Sequence, residues 1–448
     1  MSDQTNLHDV SDAATLQDPS LAGQAWAQSA VGNEPLNGIG DRARPTPRFV
    51  RAALMIAIFF CGWSLFKLPQ INLTVSDVVL SVVMVTMLLR GDVNARPFEK
   101  LTVFWLLGLG LMLLGLLIGS VDSGSVDRWL IVGAQYLFAF LLLPMLLMGQ
   151  QNSLTRTLPA LFVIGIAVSQ LIGISASLLL EYSVTKEFLG PDFVTGNGRV
   201  GAMSGEPNAN GAMIAFALPM LLYCLRRGII PLGIGILCGA LLVWGLLASG
   251  SFTGFCASVA SVGIYIAVSG LGTFLRASVV AVIASSLYLV SGLPLPSAFE
   301  ERVFAALSTG NLNQAGTFSD RSDLIAEAWQ MTDDNIIVGL GVDQFRVVSS
   351  HGAPVHETHL LIWNEGGVLA FIGLLLIVLT MIVAAMVAIS RNRTDGAMIL
   401  AVVAVFNVYT FAIPHMYTRA WILPVLLAMS ACFAVHAASN RIWRDTWQ

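Results

Sequence analysis

From residue 50 onward, long apolar runs alternate with short polar breaks until one extended polar interval interrupts the rhythm. About 20 apolar residues cross the hydrocarbon core of a bilayer. That length predicts twelve membrane helices, at roughly 51–69, 71–89, 101–119, 129–149, 158–180, 209–225, 229–248, 252–270, 274–292, 361–390, 396–413 and 420–439. Only Pro69 and Gln70 separate the first two, which reads as a tight hairpin. The sixth is short if it starts after Pro207, and the tenth starts before the bilayer as an amphipathic turn. The interruption runs from about Pro294 to Glu365. It contains three of the six histidines, a Gly339-Leu340-Gly341 turn and the run Ser319-Asp320-Arg321-Ser322-Asp323. A loop of that length is functional or disordered, and the helical periodicity inside it argues against disorder.

Composition fixes the class. The chain is 56% hydrophobic and 11% charged, against about 25% charged in soluble domains. The expectation is an all-α polytopic membrane protein of about 12 transmembrane helices, with a large helical loop over 293–358. A net charge of −4 gives no reason to expect nucleic acid as a partner. Five cysteines fall inside apolar runs with no CxxC pair, so they read as small buried hydrophobes and neither a disulfide framework nor a zinc site is expected. Residues 1–48 are rich in Gln, Asp, Ala and Gly and poor in large apolar residues, the composition of a disordered tail. They lack a basic segment followed by an apolar one, so the first membrane helix doubles as the insertion signal.

Lysine and arginine set the orientation. With the N-terminus in the cytoplasm, the inner segments carry Arg42, Arg44, Arg48, Arg51, Arg90, Arg96, Lys100, Arg156, Arg226, Arg227, Arg276, Arg391, Arg393, Arg441 and Arg444, fifteen of the 23 basic residues. Lys67, Arg128, Lys186, Arg199, Arg302, Arg321, Arg346 and Arg419 fall outside, over far more polar chain. The large loop, the 181–208 loop and the 414–419 turn then face away from cytosolic nucleotides. An enzyme there needs a substrate that arrives already activated.

Three motifs carry candidate chemistry. In the 196–211 connection, glycines surround Arg199 before Glu206-Pro207-Asn208. Glycines permit tight turns and close ligand approach, Pro207 suits the first helical turn, and Glu206 suits the helix N-terminus. A structured turn with a solvated arginine fits the same residues. In the large loop, Ser319 resembles an N-cap for a helix running to Ala328 or Met331. Arg321 then shares the face of Leu324, Ile325, Ala328 and Trp329. A buried arginine needs an anion, and both a nearby carboxylate and a phosphate held by the planar guanidinium satisfy that need. Finally, His356, His359, Leu360 and Trp363 fall at helical spacing. His-x-x-His without a third ligand is weak as a metal site. Helix capping and proton transfer by a neutral imidazole are the two other readings. Gly339-Leu340-Gly341 lacks strand–turn–helix grammar and reads as a structural turn.

The order of Arg199 before Glu206-Pro207-Asn208, Arg321 before Trp329, Gly339-Leu340-Gly341 before Phe345, and His356-x-x-His359-Leu360 before Glu365-x-Gly367 resembles the O-antigen ligase and polysaccharide polymerase superfamily. The resemblance covers roughly 50–440. It implies a transmembrane glycosyltransferase domain over 49–440, similar to GT-C-type glycosyltransferases, with a cytoplasmic tail over 441–448. It implies inverting transfer of a glycan from undecaprenyl pyrophosphate to an acceptor hydroxyl on the periplasmic face of a bacterial inner membrane, with no cofactor and no metal. His356 matches the family's essential histidine, and Arg199 and Arg321 match the arginines that hold pyrophosphate. His359, Glu206, Asn208 and Glu365 are supporting candidates. His359 and Glu357 depart from the motif, where an aromatic and Asn or Ser are commoner, so His359 competes with His356 for the proton. The implied partners are the lipid-linked donor, a glycan or lipid A–core acceptor, membrane lipid, and flippase and chain-length regulator proteins.

A polymerase is the leading expectation, and a ligase acting on lipid A–core shares its donor chemistry. A transporter of polysaccharide or lipid-linked sugar belongs to another class. Transporters place ionisable groups at the bilayer midplane. Here the helices offer chiefly Asp77 and His436, and the polar weight lies in the loops.

Overall fold

The computed structural model describes residues 46–431, apart from 69–72, 149, 151, 271, 274, 276–285, 287, 289, 293 and 317. Helices α1 (Arg48–Phe59), α2 (Val75–Arg90), α3 (Thr102–Asp122), α4 (Val126–Leu147), α5 (Asn152–Leu179), α6 (Tyr182–Leu189), α7 (Pro207–Arg226), α8 (Leu232–Ser249) and α9 (Phe252–Ser269) precede the polar interval. A helical run α10 (297–309) and α11 (Phe318–Asp334) lie within it. Then come α12 (Thr358–Arg391), α13 (Arg393–Thr410) and α14 (Arg419–Ala431). Among the described residues, seven helices are long and apolar enough to cross a membrane: α3, α4, α5, α7, α8, α9 and α12. The chain is an all-α membrane protein. Its strands, among the described residues, are one two-residue antiparallel pair, β1 (Lys67–Leu68) and β2 (Leu73–Thr74).

The first expected hairpin is not tight. Helix α1 stops at Phe59 and α2 starts at Val75. The chain leaves the helix because it docks elsewhere: Trp63 Nε1 donates to the Gly165 carbonyl at 3.1 Å, and Leu65 N to the Met203 carbonyl at 2.9 Å. The sixth expected span is not short, since α7 starts at Pro207 itself and runs 20 residues. The expected span at 274–292 falls largely outside the described residues, as do residues 1–45 and everything after Ala431.

Prolines inside apolar helices leave carbonyls without their usual partner, and at Pro144 and Pro219 another helix supplies it. Pro144 cannot donate to the Phe140 carbonyl. A π-turn over Phe138–Leu142 accommodates the ring, and Trp105 Nε1 donates to that carbonyl at 2.5 Å. Pro219 likewise frees the Ala215 carbonyl, which accepts from Ser261 Oγ at 3.4 Å. Both donors sit on neighbouring helices, so the sequence irregularities become interhelical contacts.

The tightest packing joins α3 to α12. Gly108, Gly115 and Gly119 of α3 face the backbone of Gly373, Gly366 and Glu365 of α12. Small residues let membrane helices approach this closely. Helix α12 breaks at Gly367, whose φ of 66° suits glycine. A break there strands the Asn364 and Glu365 carbonyls and the Val368 N–H. The segment 336–341 completes all three. Leu340 N donates to Asn364 O at 2.8 Å, Gly341 N to Glu365 O at 2.9 Å, and Val368 N to Ile336 O at 2.8 Å. The Gly-Leu-Gly motif is therefore a backbone clasp, as its structural reading anticipated. A Cβ on Gly339 would stand 2.3 Å from the Glu365 carbonyl carbon.

Gly339→Ala is expected to lower stability by at least about 1–3 kcal/mol, the cost of overpacking, in thermal unfolding of the detergent-solubilised protein. Gly110→Ala is the control: nothing lies within 4 Å of a Cβ there, so its melting point should stay the same or rise.

Candidate functional site

The loop carrying Arg199 is fixed at both ends. Val194 bridges Val200, Val200 N donates to the Ala248 carbonyl at 3.0 Å, and Arg199 N donates to Thr195 Oγ1 at 3.0 Å. The Arg199 side chain is held as firmly. Its Nε donates to the Ser249 carbonyl at 2.9 Å, at the C-terminus of α8, and Nη2 to Asn208 Oδ1 at 2.9 Å. A cation beside stranded helix carbonyls is well placed. Glu206 caps α7, its two oxygens accepting from Asn208 N at 2.9 Å and Ala209 N at 2.7 Å. The structure thus brings Arg199, Glu206 and Asn208 together. Behind them, Gln170 and Asn210 exchange reciprocal amide hydrogen bonds of 2.7 and 3.0 Å, and Asn210 also binds the Val200 carbonyl at 2.9 Å.

Helix α11 starts at Phe318, two residues earlier than an N-cap at Ser319 implies, and extends to Asp334, so Ser319 lies inside it. The expected burial face is partly right. Leu324 and Ala328 are buried and Arg321 is half-buried, whereas Trp329 is exposed. Arg321 acts on Arg199, Arg302 and His356 alike. Burial first, and then Arg302 and Arg321, push Arg199 down to about 10, with Glu206 opposing. Burial and Arg321 also lower Arg302. A guanidinium keeps its charge at neutral pH, so these shifts reflect three cations gathered from three separate segments. Arg302 is the member that sequence reasoning missed. It lies between acidic and apolar neighbours on α10 with no distinguishing motif. Its guanidinium packs so closely on Gly316 that a Cβ there would fall 2.0 Å from Nη2.

The histidines divide. Helix α12 begins at Thr358 with Glu357 as its N-cap, so His356 precedes the helix and the two histidines do not share a helical face. Glu357 accepts from Leu360 N at 2.5 Å, from His359 N at 3.3 Å and from the His359 ring at 2.7 Å. The His359 ring rests on Phe411, 5.0 Å between centroids. His359 is therefore bound into the capping structure. His356 is half-buried, and its Nδ1 is shielded without a partner of hydrogen-bonding geometry. Burial first, then Arg321, lower its pKa below the ordinary 6.5, with the Pro354 backbone opposing. Both effects favour the neutral imidazole.

Glu365 belongs elsewhere. It is buried at the clasp, where the backbone N–H groups of Asp343 and Phe345 face its carboxyl. Asp343, buried with φ 61°, pairs with Arg128 and lies 3.8 Å from Arg346 and 3.6 Å from His415 Nε2. His415 is driven down to about 4, by burial first, while Asp343 opposes and Arg346, Arg128 and His356 add to the depression. This second cluster neighbours His356 and is rich in internal ion pairs. A strained, buried aspartate had no mark in the sequence beyond following Gly341-Val342.

A cavity of about 230 Å³ lies on the other side of Glu206, walled by Lys67, Thr74, Ser204, Thr418 and Trp421. The ion pair of Asp77 with Arg419 closes its floor. Both partners are buried, and Arg419 Nε donates to Asp77 Oδ1 at 2.8 Å. Asp77 also forms a capping box with Thr74. A lone acid and a lone base at same-side ends of two apolar helices were a readable pairing signal. Among the described residues, no group of three His, Cys, Asp or Glu side chains is placed to hold a metal ion. Four described cysteines are free: Cys61, Cys224 and Cys238 are buried and Cys256 half-buried. No protein-family model matches the chain, and no curated protein matches it.

Arg419→Ala strands the Asp77 carboxylate in a buried site and is expected to cost about 3–5 kcal/mol. Denaturant unfolding of the purified variant measures this, and an unchanged midpoint would mean that the pair is open in the membrane.

Proposed function

We propose that the chain transfers a glycan from undecaprenyl pyrophosphate to a sugar hydroxyl on the periplasmic face of a bacterial inner membrane, as a polysaccharide polymerase. The observation that carries this reading is the convergence of Arg199, Arg302 and Arg321 beside His356. In this reading the bundle is completed to about twelve spans in a GT-C-like arrangement, with the 294–358 segment on the outer side.

The chemistry follows from the charges. The acceptor oxygen attacks the anomeric carbon, the bond from that carbon to the pyrophosphate oxygen breaks, and the pyrophosphate departs with the bonding electrons. Its growing negative charge is stabilised by guanidinium groups already in place. His356 takes the proton of the attacking hydroxyl. Its depressed pKa keeps it ready to accept at neutral pH. Direct displacement inverts the anomeric carbon. The cavity beside Glu206 offers hydroxyls and the Trp421 ring to an acceptor sugar. A ligase acting on lipid A–core would use the same donor site. The cations gather at one end of the bundle, which suits a membrane-borne anionic donor better than transport through the midplane.

His356→Ala should reduce turnover by about 10²–10⁴-fold without reducing the amount of folded protein in the membrane. In the wild type, rate against pH should be flat from 7 to 8 and fall on acidification with a midpoint below 6.5, because the neutral imidazole is the active form. Near-normal polymer from His356→Ala would remove this residue from the reaction.

Arg321→Lys replaces a planar fork with a point charge. A loss of about 10–100-fold in kcat/KM with purified lipid-linked donor is expected, the range for one charge-assisted hydrogen bond. Wild-type turnover would assign Arg321 to a structural ion pair.

A further inference from the structure

We infer that the polar interval is anchored in lipid: a ledge formed by Trp329, Ile336, Ile337 and Val338 rests in the headgroup region of the leaflet on its own side. This inference does not depend on the transfer chemistry.

Helix length gives the depth. The unbroken part of α12 from Val368 to Arg391, 24 residues, rises about 36 Å at 1.5 Å per residue, against a hydrocarbon core of about 30 Å. The helix ends at Arg391, where Asn392 caps both it and α13, so the excess lies at the other end. Counting about 20 residues back from Arg391 puts the hydrocarbon boundary near Ile372. The break at Gly367 then falls at headgroup level. Segment 336–338, bonded to Val368 through Ile336 O, falls with it.

The exposed surface agrees. Below the boundary, Ile372, Leu375, Leu379, Val383 and Met386 form an exposed apolar stripe on α12. Beside Ile372, and again past the break at Gly367, the stripe continues as aromatic rings. Phe371 stacks on Trp363 at 4.5 Å, and Trp363 meets Trp329 edge-on at 6.4 Å. Trp363 Nε1 donates to the Ile336 carbonyl at 3.3 Å. Beside these rings Ile337 is 76% exposed and Trp329 56% exposed. Tryptophan favours the membrane interface. The backbone of 336–338 is not helical, and irregular backbone facing lipid is not tolerated in the hydrocarbon itself. Both constraints select the headgroup region. Continuity with the lipid-facing stripe of a spanning helix selects lipid as the occupant.

The ledge also fixes a height. Trp329 lies eight residues beyond Arg321 on α11, about 12 Å along the axis. The arginine cluster is thereby held within a short distance of the membrane surface.

The test uses a nitroxide at Ile337→Cys, in a protein whose native cysteines are replaced by serine, reconstituted in phosphatidylcholine–phosphatidylglycerol vesicles. Power-saturation EPR compares collisions with oxygen, which concentrates in lipid, and with a water-soluble nickel chelate. The expected result is high oxygen access with low nickel access. High nickel access would place the ledge in water, and shielding from both would mean protein covers it; either overturns the inference. Tryptophan quenching by brominated lipid supplies a reading without a label. Trp329→Phe should lose a quenchable component, and an identical quenched fraction in both proteins would count against the ledge.

Discussion

A broken helix whose freed polar groups are completed by a distant segment governs the rest of this molecule. A buried backbone group left unsatisfied costs a few kcal/mol, about 1–3. The break at Gly367 exposes three such groups, and 336–341 satisfies all of them. Neither partner is stable in this form without the other. The clasp also presses Gly341 against Gly124 and Ser120 at the end of α3, so one set of contacts joins two spanning helices to the polar interval. Because α11 precedes the clasp and His356 follows it, both are positioned from the same fixed point. Arg199 reaches the site from the other side, held by α8 and α7.

Two electrostatic arrangements lie next to each other with opposite logic. Around Asp343, cations and an anion pair internally, and the cluster stabilises packing at the clasp. Around Arg199, cations from three segments crowd together, and burial raises the cost of doing so. That crowding sets this region apart from the paired charges around Asp343. Between the two stands His356, depressed by Arg321 on one side and itself acting on His415 on the other.

The elements were largely legible in the sequence because membrane helices announce themselves by length and apolarity. Spans near 101–119, 209–225 and 252–270 are found within a few residues of expectation. The first helix was overextended because Cys61, Gly62 and Trp63 look apolar, although their contacts with α5 pull the chain out of the helix. Arg199, Glu206 and Asn208 were readable as a unit, since glycines and a proline bracket them. His356 was singled out on a helical spacing that the structure does not have: Glu357, read as a departure from a motif, is the cap that separates the two histidines. Arg302 and Asp343 were not legible. Their placement depends on contacts made across long sequence separations, which leave no local spacing to read.

The two glutamate caps have a further effect. Glu206 and Glu357 stand at the starts of the two helices that border the arginines, and each spends its carboxylate oxygens on backbone N–H groups. An acid tied to a helix end cannot swing across to a guanidinium. Both carboxylates are thereby committed to starting helices, and the same bonds that begin α7 and α12 fix where the loops carrying Arg199 and His356 end.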